Sequence, residues 1–155
     1  MGENFINFLH LLATAVWIGG AAFIHFILEP SSKLIDPQQA GRLYGIIAKR
    51  FSITAWSCLL VLLITGLLKT PDGMLFDTTS GFGVTLSVKH LLFVGVVIVG
   101  LFITLAVVPR MRKTTPKPGE APSPEFTRHQ KVLGHLAMTN LILGVLILFT
   151  ASMLW

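Results

Sequence analysis

Four histidines carry most of the chemistry this chain offers: His10, His25, His90 and His135. Each lies within, or at the edge of, a long apolar run. A coordinating or ionisable side chain is expensive in hydrocarbon, so one found there marks a candidate functional site. His10 and His25 share one run, FINFLHLLATAVWIGGAAFIHFIL, residues 5–28, which holds no formal charge. Their separation of 15 residues corresponds to about 22 Å of helical rise and about 60° of rotation. They therefore lie on one broad face at opposite depths, with Thr14, Trp17 and Ala21 between them.

Depth pairs all four. Counting along the apolar runs, His10 falls level with His90, and His25 with His135, each to within about one helical turn, or about 5 Å. Two imidazoles at one depth on facing helices are what a bis-histidine haem needs. One ring nitrogen binds iron, and the other N–H seeks an acceptor. Thr14 and Thr139, each four residues after a histidine, are the expected acceptors. Gly19, Gly20, Ala21, Gly95 and Gly100 offer close approach, and Trp17 a flat wall. Propionates need cations: Lys89 or Lys69 at one surface, Arg50, Arg128 or Lys131 at the other. The residues thus suggest one or two haem b groups on His10 with His90 and on His25 with His135. The same four histidines suit copper, with Cys58 or Met138 as further donors. Plain packing is the rival reading: shallow histidines hydrogen-bond across helices or reach for headgroups. His129 is expected to be solvated, and Asn140 to join a polar network.

These side chains need a membrane scaffold. The chain has 155 residues, 53% hydrophobic and 12% charged. Soluble domains run near a quarter charged. The net charge of +5 does not indicate nucleic acid, because the basic residues flank apolar spans. One cysteine, Cys58, excludes a disulfide framework and a CxxC metal site. The first run is too long for a cleavable signal peptide and lacks a basic leader.

The expected fold is all-α, an integral membrane four-helix bundle in one domain, residues 1–155. Spans are placed at about 5–28, 51–68, 88–108 and 132–155. Asp36-Pro37 reads as a cap with proline in the first helical turn, opening an amphipathic lead-in helix over 37–50. Thr70-Pro71-Asp72-Gly73 reads as a turn, after which Phe76 and Phe82 dip into the interface. Ser87 is the expected cap of the third span. The proline-rich stretch 114–126 reads as a flexible linker. Ten of the twelve basic residues fall in the two loops on one side. The positive-inside rule makes that side cytoplasmic, with both termini outside, in a cytoplasmic (inner) membrane. Expected partners are the lipid bilayer, a quinone and a redox protein, in a larger complex or a homo-oligomer; nucleic acid is not one.

The opening FLHLLATAVWIGGAAFIHFILEP resembles the first span of short CopD-like (copper resistance D-like) membrane proteins. RLYGIIAKRFSITAWSCLLVLLITGLL is similar to that family's second span, and TNLILGVLILFTA to its last. The WIGG and ITG elements carry most of the likeness. It implies a four-helix unit tied to copper, with copper import as the usual assignment. A more distant similarity is to HemJ-type protoporphyrinogen oxidases, whose early histidine and lysine match His10 and Lys89. His90, His25 and His135 depart from both patterns, and no methionine-rich metal motif is present. The leading expectation is therefore a b-type cytochrome passing electrons within or across the membrane, an oxidoreductase if an enzyme. CopD-like copper transport or handling is the alternative, and a HemJ-like porphyrin oxidase a further one.

Overall fold

The computed structural model describes every residue except Asp72, Phe76, Lys117, Pro118, Gly119, Pro122 and Trp155, and leaves out the side chains of Pro37 and Gln38. Four long helices are formed: α1 Gly2–Ser32, α2 Pro37–Lys69, α3 Gly81–Lys113 and α4 Pro124–Ser152. No strand occurs among the described residues. Each helix has 29 or more residues, or at least about 43 Å at 1.5 Å per residue. That exceeds the roughly 30 Å hydrocarbon core. Large apolar side chains such as Phe8, Phe26, Leu91, Leu105 and Phe149 are more than half exposed. In water such surface would be unfavourable; against acyl chains it is solvated.

The chain divides into two compact units, Met1–Leu75 and Phe76–Trp155. Each is one helical hairpin: α1 packs along α2, and α3 along α4. The two are built alike. In each, the first helix contains a π turn, Ile24–Leu28 in α1 and Ile103–Val107 in α3. A proline follows two residues later, Pro30 and Pro109. Proline brings no N–H to the carbonyl four residues back and its ring crowds that carbonyl. The wider turn absorbs the misfit, with Glu29 N–H bonding the Ile24 carbonyl and Val108 N–H the Ile103 carbonyl. Both helices thus continue past prolines that sequence reasoning takes as their ends.

The second helix of each unit opens on a cap followed by proline. The Gln39 N–H donates to Asp36 Oδ1 at 3.1 Å, and the Phe126 N–H to Ser123 Oγ at 3.1 Å. In α2 the expected lead-in and span are one unbroken rod. In α4 the helix starts inside the expected linker; Lys117–Gly119 and Pro122 of that linker lie outside the described residues. So do Asp72 of the expected turn, where Gly73 takes φ 78°, the interfacial Phe76 and the terminal Trp155.

Ser80, not Ser87, caps α3: its hydroxyl accepts the Gly83 N–H at 3.0 Å. Asp77 organises the loop. Its Oδ1 accepts the Thr79 N–H at 2.8 Å and the Thr79 hydroxyl, and its Oδ2 the Ser80 hydroxyl at 2.7 Å. Ser87, about two turns into the helix, donates back to the Asp77 carbonyl at 3.3 Å. Gly83 is needed here, because a Cβ would overlap Asp77.

Candidate functional site

In the first unit, one stripe of α1 faces α2. Ala13 and Trp17 are buried, and His10 and Gly20 continue the same 3–4 spacing. The matching stripe of α2 is Cys58, Leu62 and Thr65, all buried. Gly20 lets the helices close: a Cβ there would stand 2.5 Å from the Phe51 ring. At the other end His10 Nδ1 lies 2.7 Å from Thr65 Oγ1. A Cβ on Gly66 would stand 3.8 Å from His10 Cε1, so the ring rests on the Thr65-Gly66 step.

One tautomer satisfies both hydrogen bonds at once. Thr65 has one hydroxyl proton, which it donates to the Val61 carbonyl at 2.6 Å. Its oxygen is left to accept, so His10 Nδ1 carries the proton. In the neutral ring the lone pair then sits on Nε2. This is the arrangement that metal-binding histidines use, with one N–H anchored and the other nitrogen the ligand.

Thr65 was not among the expected site residues, although the Ile64-Thr65-Gly66 element stood out by resemblance. Thr14, the expected anchor, donates instead to the His10 carbonyl at 2.8 Å. Thr139 does the same to the His135 carbonyl at 2.9 Å. A threonine four residues after a histidine on one helix bonds the backbone and not the ring. Of the glycine notches offered to a porphyrin, Phe51 fills that of Gly20, Leu143 Cδ1 stands in ordinary contact at 3.7 Å from a Cβ on Gly95, and a Cβ on Gly19 would meet nothing within 4 Å. Trp17 is packed inside the hairpin at 5% exposure.

The other histidines have different settings. His25, on the π turn of α1, has Nδ1 3.2 Å from Glu29 Oε2 and stands edge-on to Phe26. Lys89 and His90 are half-buried on α3. His135 is exposed on α4, in a shallow groove with Pro124, Thr127, Arg128, Lys131 and Val132. His129 is not a solvated linker residue: it sits in α4, half-buried. Its Nδ1 and the Asn140 Oδ1, eleven residues on along one face of α4, are buried without a hydrogen-bond partner among the described residues. Arg50 is exposed on α2. His10, Thr14, Trp17, His25 and Arg50 belong to the first unit; Lys89, His90 and His135 belong to the second. Among the described residues, no three His, Cys, Asp or Glu side chains gather as a metal-binding group.

Four apolar helices, each long enough to cross a bilayer, define an integral membrane protein. The chain belongs to the copper resistance protein D family, whose description matches residues 45–154. The match takes in Thr65, Gly66, Lys89, His90 and His135, and begins after α1, which carries His10 and His25. No curated protein and no solved structure matches the chain. The family's description names copper resistance. That description fits the copper alternative better than the expected b-type cytochrome, and it gives no support to haem b, electron transfer, or a quinone or redox partner.

Proposed function

We propose that this protein handles copper as cargo within a membrane, with His10 Nε2 as a ligand. The observation that carries the reading is the Thr65 anchor, which presents an imidazole nitrogen inside an apolar hairpin. Imidazole suits copper, and thiolate suits its reduced form. Cys58 lies seven residues before Thr65 on the same buried stripe of α2, and supplies a second donor in this unit. His25 is a further ligand in this unit, with Arg50 as a flanking cation; His90 and His135 are further ligands in the second unit, with Lys89 beside them. Ten of the twelve basic residues lie between the apolar runs of α1 and α2 or of α3 and α4, which by the positive-inside rule supports a cytoplasmic membrane with those ends in the cytoplasm and both termini outside.

The test compares copper binding by the detergent-purified chain and His10→Ala, with copper accumulation in cells expressing each. We expect binding and accumulation to fall together in the variant. Unchanged copper binding by His10→Ala would overturn the reading. So would a b-type absorbance in a reduced-minus-oxidised spectrum, at one or more haems per chain.

A further inference from the structure

We infer that the basic end of the α3–α4 hairpin is a binding site for the headgroup of an anionic phospholipid, seated on Arg128 and Lys131. The inference concerns the second unit alone and does not rest on the copper reading. Arg128, Lys131 and His135 follow one another at spacings of three and four, within an arc of about 60° on α4. They line one open groove with Pro124, Thr127 and Val132, and no carboxylate lines it. The end of α3, which packs beside α4, brings Arg110, Arg112 and Lys113 to the same end. None of these five Arg and Lys side chains pairs with a carboxylate among the described residues.

Helix length sets the depth. α4 has 29 residues, about 43 Å, so about 13 Å extends beyond a hydrocarbon core of about 30 Å. All the formal charges of α4, Glu125, Arg128 and Lys131, fall in its first eight residues. The apolar remainder fills the core, and Arg128 and Lys131 stand in the headgroup layer. His135 lies about 6 Å deeper, at the hydrocarbon edge. A guanidinium at that level binds a phosphate diester through two parallel N–H groups, and the neighbouring ammonium adds charge. Five unneutralised cations favour a lipid whose phosphate has no ammonium of its own. Phosphatidylglycerol fits this chemistry better than phosphatidylcholine.

The experiment is native mass spectrometry of the full chain, released from detergent with equimolar phosphatidylglycerol and phosphatidylcholine. We expect retained phosphatidylglycerol to exceed phosphatidylcholine several-fold. Arg128→Gln with Lys131→Gln should abolish that preference. Lys33→Gln with Lys49→Gln removes the same charge from the first unit and should preserve it; Lys131→Gln alone should fall between. Equal loss in both double variants would show diffuse charge attraction and overturn the site. Displacement of the lipid by excess inorganic phosphate would make it a small-anion site and overturn the lipid assignment. Helicity by circular dichroism confirms that each variant is folded.

Discussion

His10 and Thr65 meet at 2.7 Å across the α1–α2 hairpin, and the Thr65 hydroxyl also reaches the Val61 carbonyl at 2.6 Å. A single hydroxyl cannot give its proton to both neighbours. With the proton given to the helix carbonyl the imidazole donates and both contacts are made, which links a bond internal to α2 to the tautomer of a ring on α1.

Thr65→Val keeps the shape of the side chain and removes the acceptor. The His10 N–H then loses its partner in a half-buried position, at a cost of about 1–3 kcal/mol, and the ring is free to change tautomer. Nitrogen-15 spectra of the metal-free protein should show an unprotonated Nε2 in the wild type and a mixture in the variant. Copper affinity should fall about 10-fold or more. Thr65→Ser should restore both. A wild-type ring protonated at Nε2 would sink the anchoring argument while leaving copper binding to be judged separately.

Gly20 and Phe51 test the packing that brings His10 to Thr65. An alanine at position 20 would place its Cβ 2.5 Å from Phe51 Cε2 and 3.2 Å from Cδ2. The ring must move, and overpacking of this kind costs about 1–3 kcal/mol. Gly20→Ala should lower the thermal midpoint in detergent. Combining it with Phe51→Leu should recover part of the loss, since residues in contact do not add. Purely additive losses would show that the two do not share the space.

The α3 cap carries an acid-sensitive element. Hydrogen bonds from Thr79, and then from Ser80, hold the Asp77 carboxyl down at about 2. A folded value below the ordinary carboxylate value means the contribution is complete at neutral pH. It begins to decline below about pH 4 and is lost as pH falls through about 2. Hydrogen exchange in the first turn of α3 should therefore accelerate across that window in the wild type. In Asp77→Asn the first turn should be looser at pH 7 and indifferent to the same titration. Ser80→Ala, which removes the cap itself, should cost about 1 kcal/mol at neutral pH.

How much of this could be read from sequence differs by residue, for physical reasons. The four helices follow from apolar runs that only a bilayer accommodates. The Asp36-Pro37 cap follows from local chemistry. Ser87 adjoins the apolar run and reads as its cap, yet the Asp77-Thr78-Thr79-Ser80 cluster starts the helix seven residues earlier. His10 stood out by its cost in hydrocarbon, but its partner did not. Thr65 is 55 residues away, and only the antiparallel register of α1 on α2 brings the two together. The i+4 rule pointed to Thr14 because it reckons spacing on one helix and omits the carbonyl that competes for the hydroxyl.

The π turns permit a last prediction. In α1 the Glu29 N–H reaches back five residues to Ile24, and Pro30, next in the chain, has no N–H to offer Phe26. If the proline makes the π turn, Pro30→Ala should remove it. The alanine amide would bond the Phe26 carbonyl, and the Glu29 amide would return to His25 in an ordinary α turn. An interior proline in a regular helix costs about 3 kcal/mol. Here the wider turn has already relieved the clash, so the gain from Pro30→Ala should be smaller, about 1 kcal/mol. His25 and Glu29 are partly exposed, and their pairing contributes at most about 0.5 kcal/mol, too little to hold the π turn open. Backbone amide spectra of the variant decide it: a Glu29 amide still bonded to Ile24 would show that the π turn is a property of the IHFIL segment and not of its proline.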